Sequence, residues 1–269
     1  MGDQIEPFQD DDSGKDRRFV TALARGLELL RCFRPGETYL SNNEMAKRTG
    51  MPKPTISRLT YTLTELGYLS FSAEQGRYQL GSGVLALGST LLSNLDARKL
   101  ARPAMQDLAE HAQASVSMGI RERLSMVYVE SCRGSAAVTV RRDAGSRIPL
   151  ATTAMGKAYL CGLQQKERDF LMDHIRLDDE DNWPKIKSDI EQGYKDYQDR
   201  GFCLSSGIWD AGISAVGVPL IDASHGNTMA FNCGGPAFLL PRDLLMNDLG
   251  PRLVEMVRNV AMNMGHPVG

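Results

Sequence analysis

The sequence predicts an α+β protein in two domains, and three observations carry that expectation. The chain has 269 residues, 42% of them hydrophobic, enough for two cores of ordinary size. Helical apolar spacing dominates up to about residue 80 and closes with one hairpin signal, whereas beyond residue 100 helical and strand-like runs intermingle without a regular βαβ beat. That mixture favours a mainly antiparallel sheet with helices packed on it. Charge divides the same way: residues 15–80 hold 11 basic and 6 acidic side chains, a net of +5, although the whole chain carries −2. A basic module joined to a neutral or acidic one suggests that only the first meets phosphate.

Taken in order, residues 1–16 read as a disordered acidic tail, with DDDSG at its centre. Leu23, Leu27, Leu30 and Phe33 recur at helical spacing, the stripe of a core-facing helix that Pro35-Gly36 ends. Ser41 followed by Glu44 is a capping box, so a second helix is expected from about Asn42 to Thr49, with Gly50 as the turn. Pro52 and Pro54 occupy the first turn of a third helix, where a missing N–H does little harm. Ile56, Leu59, Leu63 and Leu66 form its apolar stripe, and Gly67 stops it. YLSFSAEQGRYQL then reads as two short strands around a turn.

Three helices and a hairpin make a winged helix-turn-helix over residues 17–81, whose third helix is the recognition helix. Its front carries Lys53, Pro54, Thr55, Ser57 and Arg58, followed by Thr60 and Tyr61, a crowd of donors that a purely core-filling helix does not need. These residues are the candidates for base and phosphate contact. Arg77 in the wing and Arg17 and Arg18 in the arm are candidates for phosphates or a minor groove. A solvated helix surface is the plain alternative.

Residues 82–96 read as a linker helix whose Val84, Leu85, Leu87, Leu91 and Leu92 face another helix, such as the same segment of a second subunit. Its start, GSGVLA, matches a dinucleotide fingerprint, but neither the preceding strand nor an acid some 20 residues on supports one. In the second domain, residues 97–266, helices are expected over Leu100–Ala112, Thr153–Leu163, Trp183–Arg200 and Pro241–Met264, the last interrupted near Gly250-Pro251. Strands are expected over 115–120, 126–130, 136–140, 213–221 and 228–233.

Several functions are argued against. No run of 18 apolar residues and no leader pattern is present, so a cytoplasmic protein without membrane contact is expected. The five cysteines and four histidines are dispersed, leaving no metal site and no cofactor legible; buried, reduced thiols are expected. Gly156-Lys157 lacks the glycine and hydroxyl of a phosphate loop, so Lys157 reads as a helix-surface or structural residue. Asp178 to Asp181 lacks the glycine and spacing of a calcium loop and reads as a solvated turn. An enzyme with an appended DNA-binding-like domain is the rival class, but no GxSxG or spaced Cys/His set supports it.

RIPLATTAMGKAYL at 147–160 resembles a stretch of the IclR (isocitrate lyase regulator) family of bacterial transcription factors. LARGLELLRCF, NNEMAKRTGMPKPTISRLTYTLTELGYL and GRYQLGSGVLALG are similar to that family's successive DNA-domain blocks, and GYKDYQDRGFCLSSGIWDAGISAVGVPLID and MAFNCGGPAF to its ligand-domain blocks. The resemblance spans about residues 18–265 in the right order. It implies a GAF-like C-terminal domain that binds a small organic effector, and dimers or tetramers on double-stranded operator DNA. It further implies a regulator of a catabolic operon, with repression favoured over activation. Carried onto this chain, the effector-site candidates are Ile148, Ala154, Met155, Ser205, Ala215, Asn232, Cys233 and Gly234, with Val140 and Trp209 as looser neighbours. Ile208-Trp209 and Asn232 depart from the family pattern toward a less polar site, which hints at an aromatic or amphipathic effector; the free N–H groups at the start of the Thr153 helix suit a carboxylate.

Overall fold

A computed structural model describes residues 18–135, 142–207, 210–222 and 227–265. The chain divides into two compact units between Asn94 and Leu95. Arg17, Val140 and Trp209, the 1–16 tail and the expected 136–140 strand lie outside the described residues.

In the first unit, α1 (Thr21–Arg31), α2 (Asn42–Thr49) and α3 (Lys53–Glu65) precede a hairpin of β1 (Leu69–Ser72) and β2 (Arg77–Leu80), and α4 (Ser82–Ser93) follows. The capping box is present: Ser41 Oγ accepts the Glu44 N–H at 3.3 Å, and the Glu44 carboxylate accepts the Ser41 N–H at 2.8 Å. Gly50 closes α2 at φ 69°, in the left-handed region where a side chain is strained, and this sets the turn into α3. The hairpin is tied back to the chain before α2 by paired bonds of 2.8 Å between Leu40 and Tyr78. Leu29, Cys32, Leu40, Met45, Ile56 and Leu69 form the core.

The α1 stripe differs from expectation. The inward face is Gly26, Leu29 and Cys32, whereas Leu23 is 62% exposed and Leu27 is exposed as well. Gly26 is buried where a Cβ would lie 3.9 Å from Leu59 of α3, an ordinary contact distance. Leu30 and Phe33 of the expected stripe do pack against the core, so the expectation fails only at Leu23 and Leu27. On α3, Leu66 is likewise exposed.

The second unit is a six-stranded antiparallel sheet in the order β5-β4-β3-β8-β7-β6. Its strands are β3 (Ser115–Glu122), β4 (Ser125–Arg133), β5 (Arg147–Pro149), β6 (Cys203–Ser206), β7 (Ile213–Asp222) and β8 (Asn227–Pro236). Before the sheet comes α5 (Asp96–Ala112); α6 (Ala154–Cys161), α7 (Gln165–Asp178) and α8 (Trp183–Arg200) lie between β5 and β6. The C-terminal helical segment runs through α9 (Arg242–Leu244), a π-helical turn at Leu245–Leu249 and α10 (Gly250–Asn263). The expected interruption at Gly250-Pro251 is thus resolved by a π turn that leads into α10 without ending the helix.

Consecutive residues of β3 and β7 are buried, which requires cover on both sheet faces. On one side Met126, Tyr128, Ile148 and Leu150 pack with Met155 and Tyr159 of α6. Toward the other, a bulge at Val129 shifts the pairing so that Met118 faces Glu130 while Gly119 faces Tyr128. The extra residue reverses side-chain parity. Tyr128 therefore joins the α6 side, while Glu130 turns to α5 and binds Arg98 at 2.9 Å and Arg102 at 2.6 Å.

Candidate nucleic-acid interface and ligand pocket

Helix α3, the expected recognition helix, sorts its residues cleanly. Ile56 and Thr60 point into the core, and Lys53, Pro54, Ser57, Arg58 and Tyr61 are exposed, Tyr61 at 67%; Thr55 is half-buried. Thr60 is therefore a correction. It is 0% exposed, and its hydroxyl donates to the carbonyls of Ile56 at 3.0 Å and Ser57 at 3.2 Å, so it braces the helix from inside. Its position four residues after Ile56 places it on the buried stripe, a spacing that outweighs its polarity. Thr62 and Thr64 bond back four residues in the same way, at 3.0 Å and 2.8 Å.

Asn42, at the first position of α2, donates weakly to Ser57 Oγ at 3.5 Å, bringing the α2 front beside the α3 front. Exposed Asn43 and Lys47 on α2 extend this polar face, and neither was singled out from sequence. Arg77 on the wing is exposed and lies 3.9 Å from Glu44. Bonds from Ser41 and the positive charge of Arg77 hold the Glu44 carboxyl below its usual range, so it stays ionised beside the arginine. Arg18 is exposed at the other end of the unit's sequence.

In the second unit a pocket of about 40 Å³ opens where α6 meets the sheet. Two glycines permit that approach: a Cβ at Gly217 would lie 2.3 Å from the Ala154 carbonyl oxygen, and one at Gly156 only 1.9 Å from that of Leu150. Ile148, Ala154, Ser205, Ala215, Asn232 and Gly234 all line the pocket. Met155 and Cys233 do not. Met155 turns into the core between α6 and the sheet, and Cys233, fully buried, alternates to the opposite side from its neighbours Asn232 and Gly234.

Thr153, whose helix start the sequence offered as a carboxylate seat, lines the pocket too, and five further polar lining residues went unremarked: Ser115, Ser117, Tyr128, Arg142 and Asp210. Ser115 and Ser117 alternate with apolar residues in SVSMGI, a period-two signal for one polar face, but Arg142 and Asp210 come from loops with no such pattern. The pocket is more polar than the sequence suggested.

Its bonding is uneven. Thr153 caps α6 by accepting the Gly156 N–H at 3.1 Å, and Ser205 Oγ donates to the Thr152 carbonyl at 3.1 Å. Asn232 Nδ2 donates to the Tyr128 hydroxyl at 3.4 Å, while Asn232 Oδ1 is buried without a protein partner. Burial pushes the Tyr128 hydroxyl above its ordinary pKa, keeping it a neutral donor. The first N–H groups of α6 belong to no helical bond and carry the positive end of the helix dipole. The pocket lining also holds the Arg142 guanidinium, which favours an anion, the Asp210 carboxylate, which opposes one, and the acceptor of Asn232.

Lys157 takes no part in the pocket. It is 2% exposed and donates to the Leu204 carbonyl at 3.0 Å, and burial lowers its pKa. It is structural rather than superficial. Among the described residues no cluster of three potential metal ligands exists, and no helix is long and apolar enough to cross a membrane.

The profile of the IclR helix-turn-helix domain matches residues 22–72, and that of the bacterial transcriptional regulator IclR C-terminal domain matches residues 89–264. The HTH-type transcriptional regulator TsaQ1/TsaQ2 of Comamonas testosteroni is 35% identical over 247 residues, covering 91% of this chain and 88% of that protein. A crystal structure of an IclR family transcriptional regulator from Brucella abortus superposes with a TM-score of 0.84 at 50% identity, covering 93% of this chain and 94% of that one. An IclR homologue from Microbacterium hydrocarbonoxydans, complexed with 4-hydroxybenzoate, shares the fold at 19% identity and a TM-score of 0.65, with 91% and 97% coverage.

Proposed function

This chain belongs to the IclR family of bacterial transcriptional regulators, whose members are regulators and not enzymes, and we propose that it is a repressor of a catabolic operon released by a small organic carboxylate. The reading rests on one observation above the others: α3 buries Ile56 and Thr60 while presenting Lys53, Ser57, Arg58 and Tyr61 outward. That is the division of labour a helix needs to enter a major groove. Lys53 and Arg77 supply phosphate affinity, and Arg58 and Ser57 read base edges.

A single module reads too short a site, so the operator is bound by a dimer or a pair of dimers. α4 supports this assembly, since none of its residues is buried and Leu85 is 74% exposed, with Leu87 and Leu91 exposed beside it. Such an apolar surface is stable in water only when covered.

For the effector, Arg142 and the α6 N-terminus favour a carboxylate, and the unpartnered Asn232 Oδ1 favours a hydroxyl or amino donor at the other end. The 4-hydroxybenzoate bound by the Microbacterium homologue has both features. A gel shift with the chain's own upstream DNA, titrated with hydroxylated aromatic carboxylates, tests the whole proposal. A retarded band that a carboxylate abolishes is expected. Failure to bind that DNA at low salt would overturn the operator reading, and binding indifferent to every carboxylate would overturn the effector reading.

A further inference from the structure

We propose that Cys161 and Cys203 are a redox-active dithiol that hydroperoxides convert to a disulfide across the contact between α6 and β6. Their sulfurs lie 3.6 Å apart, although they are 42 positions apart in sequence. The other three cysteines, Cys32, Cys132 and Cys233, are each buried singly. Reduced packing alone would not require two thiols to meet, because a small apolar residue fills the same space.

The pair differs in access. Cys203 is fully buried and donates its S–H to the Gly193 carbonyl at 3.2 Å. Cys161 is partly exposed and lines an open groove of about 510 Å³ beside Met172, Trp183 and Tyr194. One thiol can therefore be reached by a small oxidant while its neighbour waits behind it. Lys157 is held by the carbonyl of Leu204, the residue after Cys203, and its charge acts on both sulfurs. Contact with Cys161 and burial together push the Cys203 thiol well up despite Lys157, so it stays protonated until a sulfenic acid forms beside it.

The chemistry balances in two steps. The Cys161 sulfur attacks one oxygen of a hydroperoxide; the O–O bond breaks, an alcohol (or water) leaves with the thiol proton, and Cys161 becomes a sulfenic acid. The Cys203 sulfur then attacks that sulfur; an S–S bond forms, the S–O bond breaks, and water leaves with the Cys203 proton. Two thiols lose two electrons in all, and the peroxide gains them. A reduced dithiol reverses the change by exchange.

Forming the bond brings the sulfurs from 3.6 Å to about 2.05 Å. Cys161 ends α6, whose first residue Ala154 lines the ligand pocket, and Cys203 stands two residues before Ser205 in the same pocket wall. Oxidation therefore pulls on two sides of the pocket at once.

The test treats the reduced full chain with hydrogen peroxide, alkylates the remaining thiols in denaturant, and maps peptides without reduction. The expected result is loss of two of the five thiols, one intramolecular cross-link joining Cys161 to Cys203, and recovery of five thiols with dithiothreitol. Cys161→Ser should keep its remaining four thiols under the same treatment, and Cys203→Ser should stop at a sulfenic acid that dimedone traps on Cys161. Survival of all five thiols in the wild-type chain, cross-linking of any other pair, or over-oxidation of Cys161 without a cross-link would each overturn the proposal. The wild-type map decides even if the buried Cys203→Ser variant fails to fold, and it is independent of whether the chain binds DNA.

Discussion

Gly217→Ala tests the idea that the ligand pocket exists because α6 sits directly on the sheet. An added Cβ would meet the Ala154 carbonyl oxygen at 2.3 Å, its carbon at 2.6 Å and the Met155 nitrogen at 3.0 Å. Ordinary contact begins near 3.5 Å, so the start of α6 must retreat by about 1 Å. All three obstructing atoms are backbone, and no rotamer change relieves them. Overpacking of this kind costs about 1–3 kcal/mol, and a backbone obstruction puts Gly217→Ala toward the upper end. For a unit of this size each kcal/mol lowers the midpoint by roughly 2–4 °C, so a fall of about 5–10 °C is expected in the calorimetric transition of the second unit. Because Ala154 lines the pocket, carboxylate-induced thermal shifts should shrink with it. An unchanged midpoint together with an unchanged ligand shift would refute the close-approach argument.

Arg58→Ala should weaken operator binding by about 5–150-fold, the equivalent of ~1–3 kcal/mol, without moving the melting temperature; a gel shift and a thermal scan read the two quantities separately. Arg77→Ala should lower the slope of log affinity against log salt by about one unit and leave sequence preference intact, as measured by fluorescence anisotropy at several salt concentrations. Thr60→Val should change DNA affinity far less than Arg58→Ala, since its hydroxyl serves only helix carbonyls; a comparable loss would return Thr60 to the interface. Asp248 accepts bonds from Arg252 at 2.6 Å and His111 at 2.7 Å, and these hold its carboxyl below the ordinary range. A depressed folded-state pKa stabilises the fold fully above the unfolded value near 3.9 and loses that contribution as pH falls through the folded value. Acid-side denaturation curves of Asp248→Asn should therefore flatten relative to wild type below about pH 4.

Local chemistry made some elements legible and tertiary choices hid others. Asn42–Thr49 could be placed to the residue because Ser41 and Glu44 name both ends of a capping box, and Trp183–Arg200 because Pro184 opens it and Gly201, at φ 81°, closes it. α7 went unnoticed: its buried residues are only Leu171 and Ile175, too few to show a period among QKERDFLMDHIRLD. β5 and β6, at three and four residues, are too short for alternation to register. Which α1 side chains turn inward depends on what the neighbouring helices pack against them, information no single-helix pattern contains. In the pocket, residues on the α6 start and on β7 and β8 could be named in advance. Tyr128 could not, because its direction depends on the Val129 bulge, and Arg142 and Asp210 arrive from loops.

The size of the pocket bears on how such a regulator is switched. A cavity of about 40 Å³ holds a water or two, far short of an aromatic carboxylate. An effector of that class must therefore spread the walls as it enters, and the bond from Ser205 to the Thr152 carbonyl is one of the contacts that keeps them together. Breaking a bond of this kind costs about 1 kcal/mol, which lies within the 1–3 kcal/mol that links two sites in an allosteric protein. A ligand that bound both states equally well would shift nothing. A closed pocket makes binding and rearrangement one event. Here the rearrangement starts on β4, where Tyr128 lines the pocket and Glu130, one bulge residue further along, holds Arg98 and Arg102 of α5. α5 itself begins at Asp96, just beyond the end of α4 at Ser93. Spreading the walls at Tyr128 thus loads the strand that anchors the first turns after the linker.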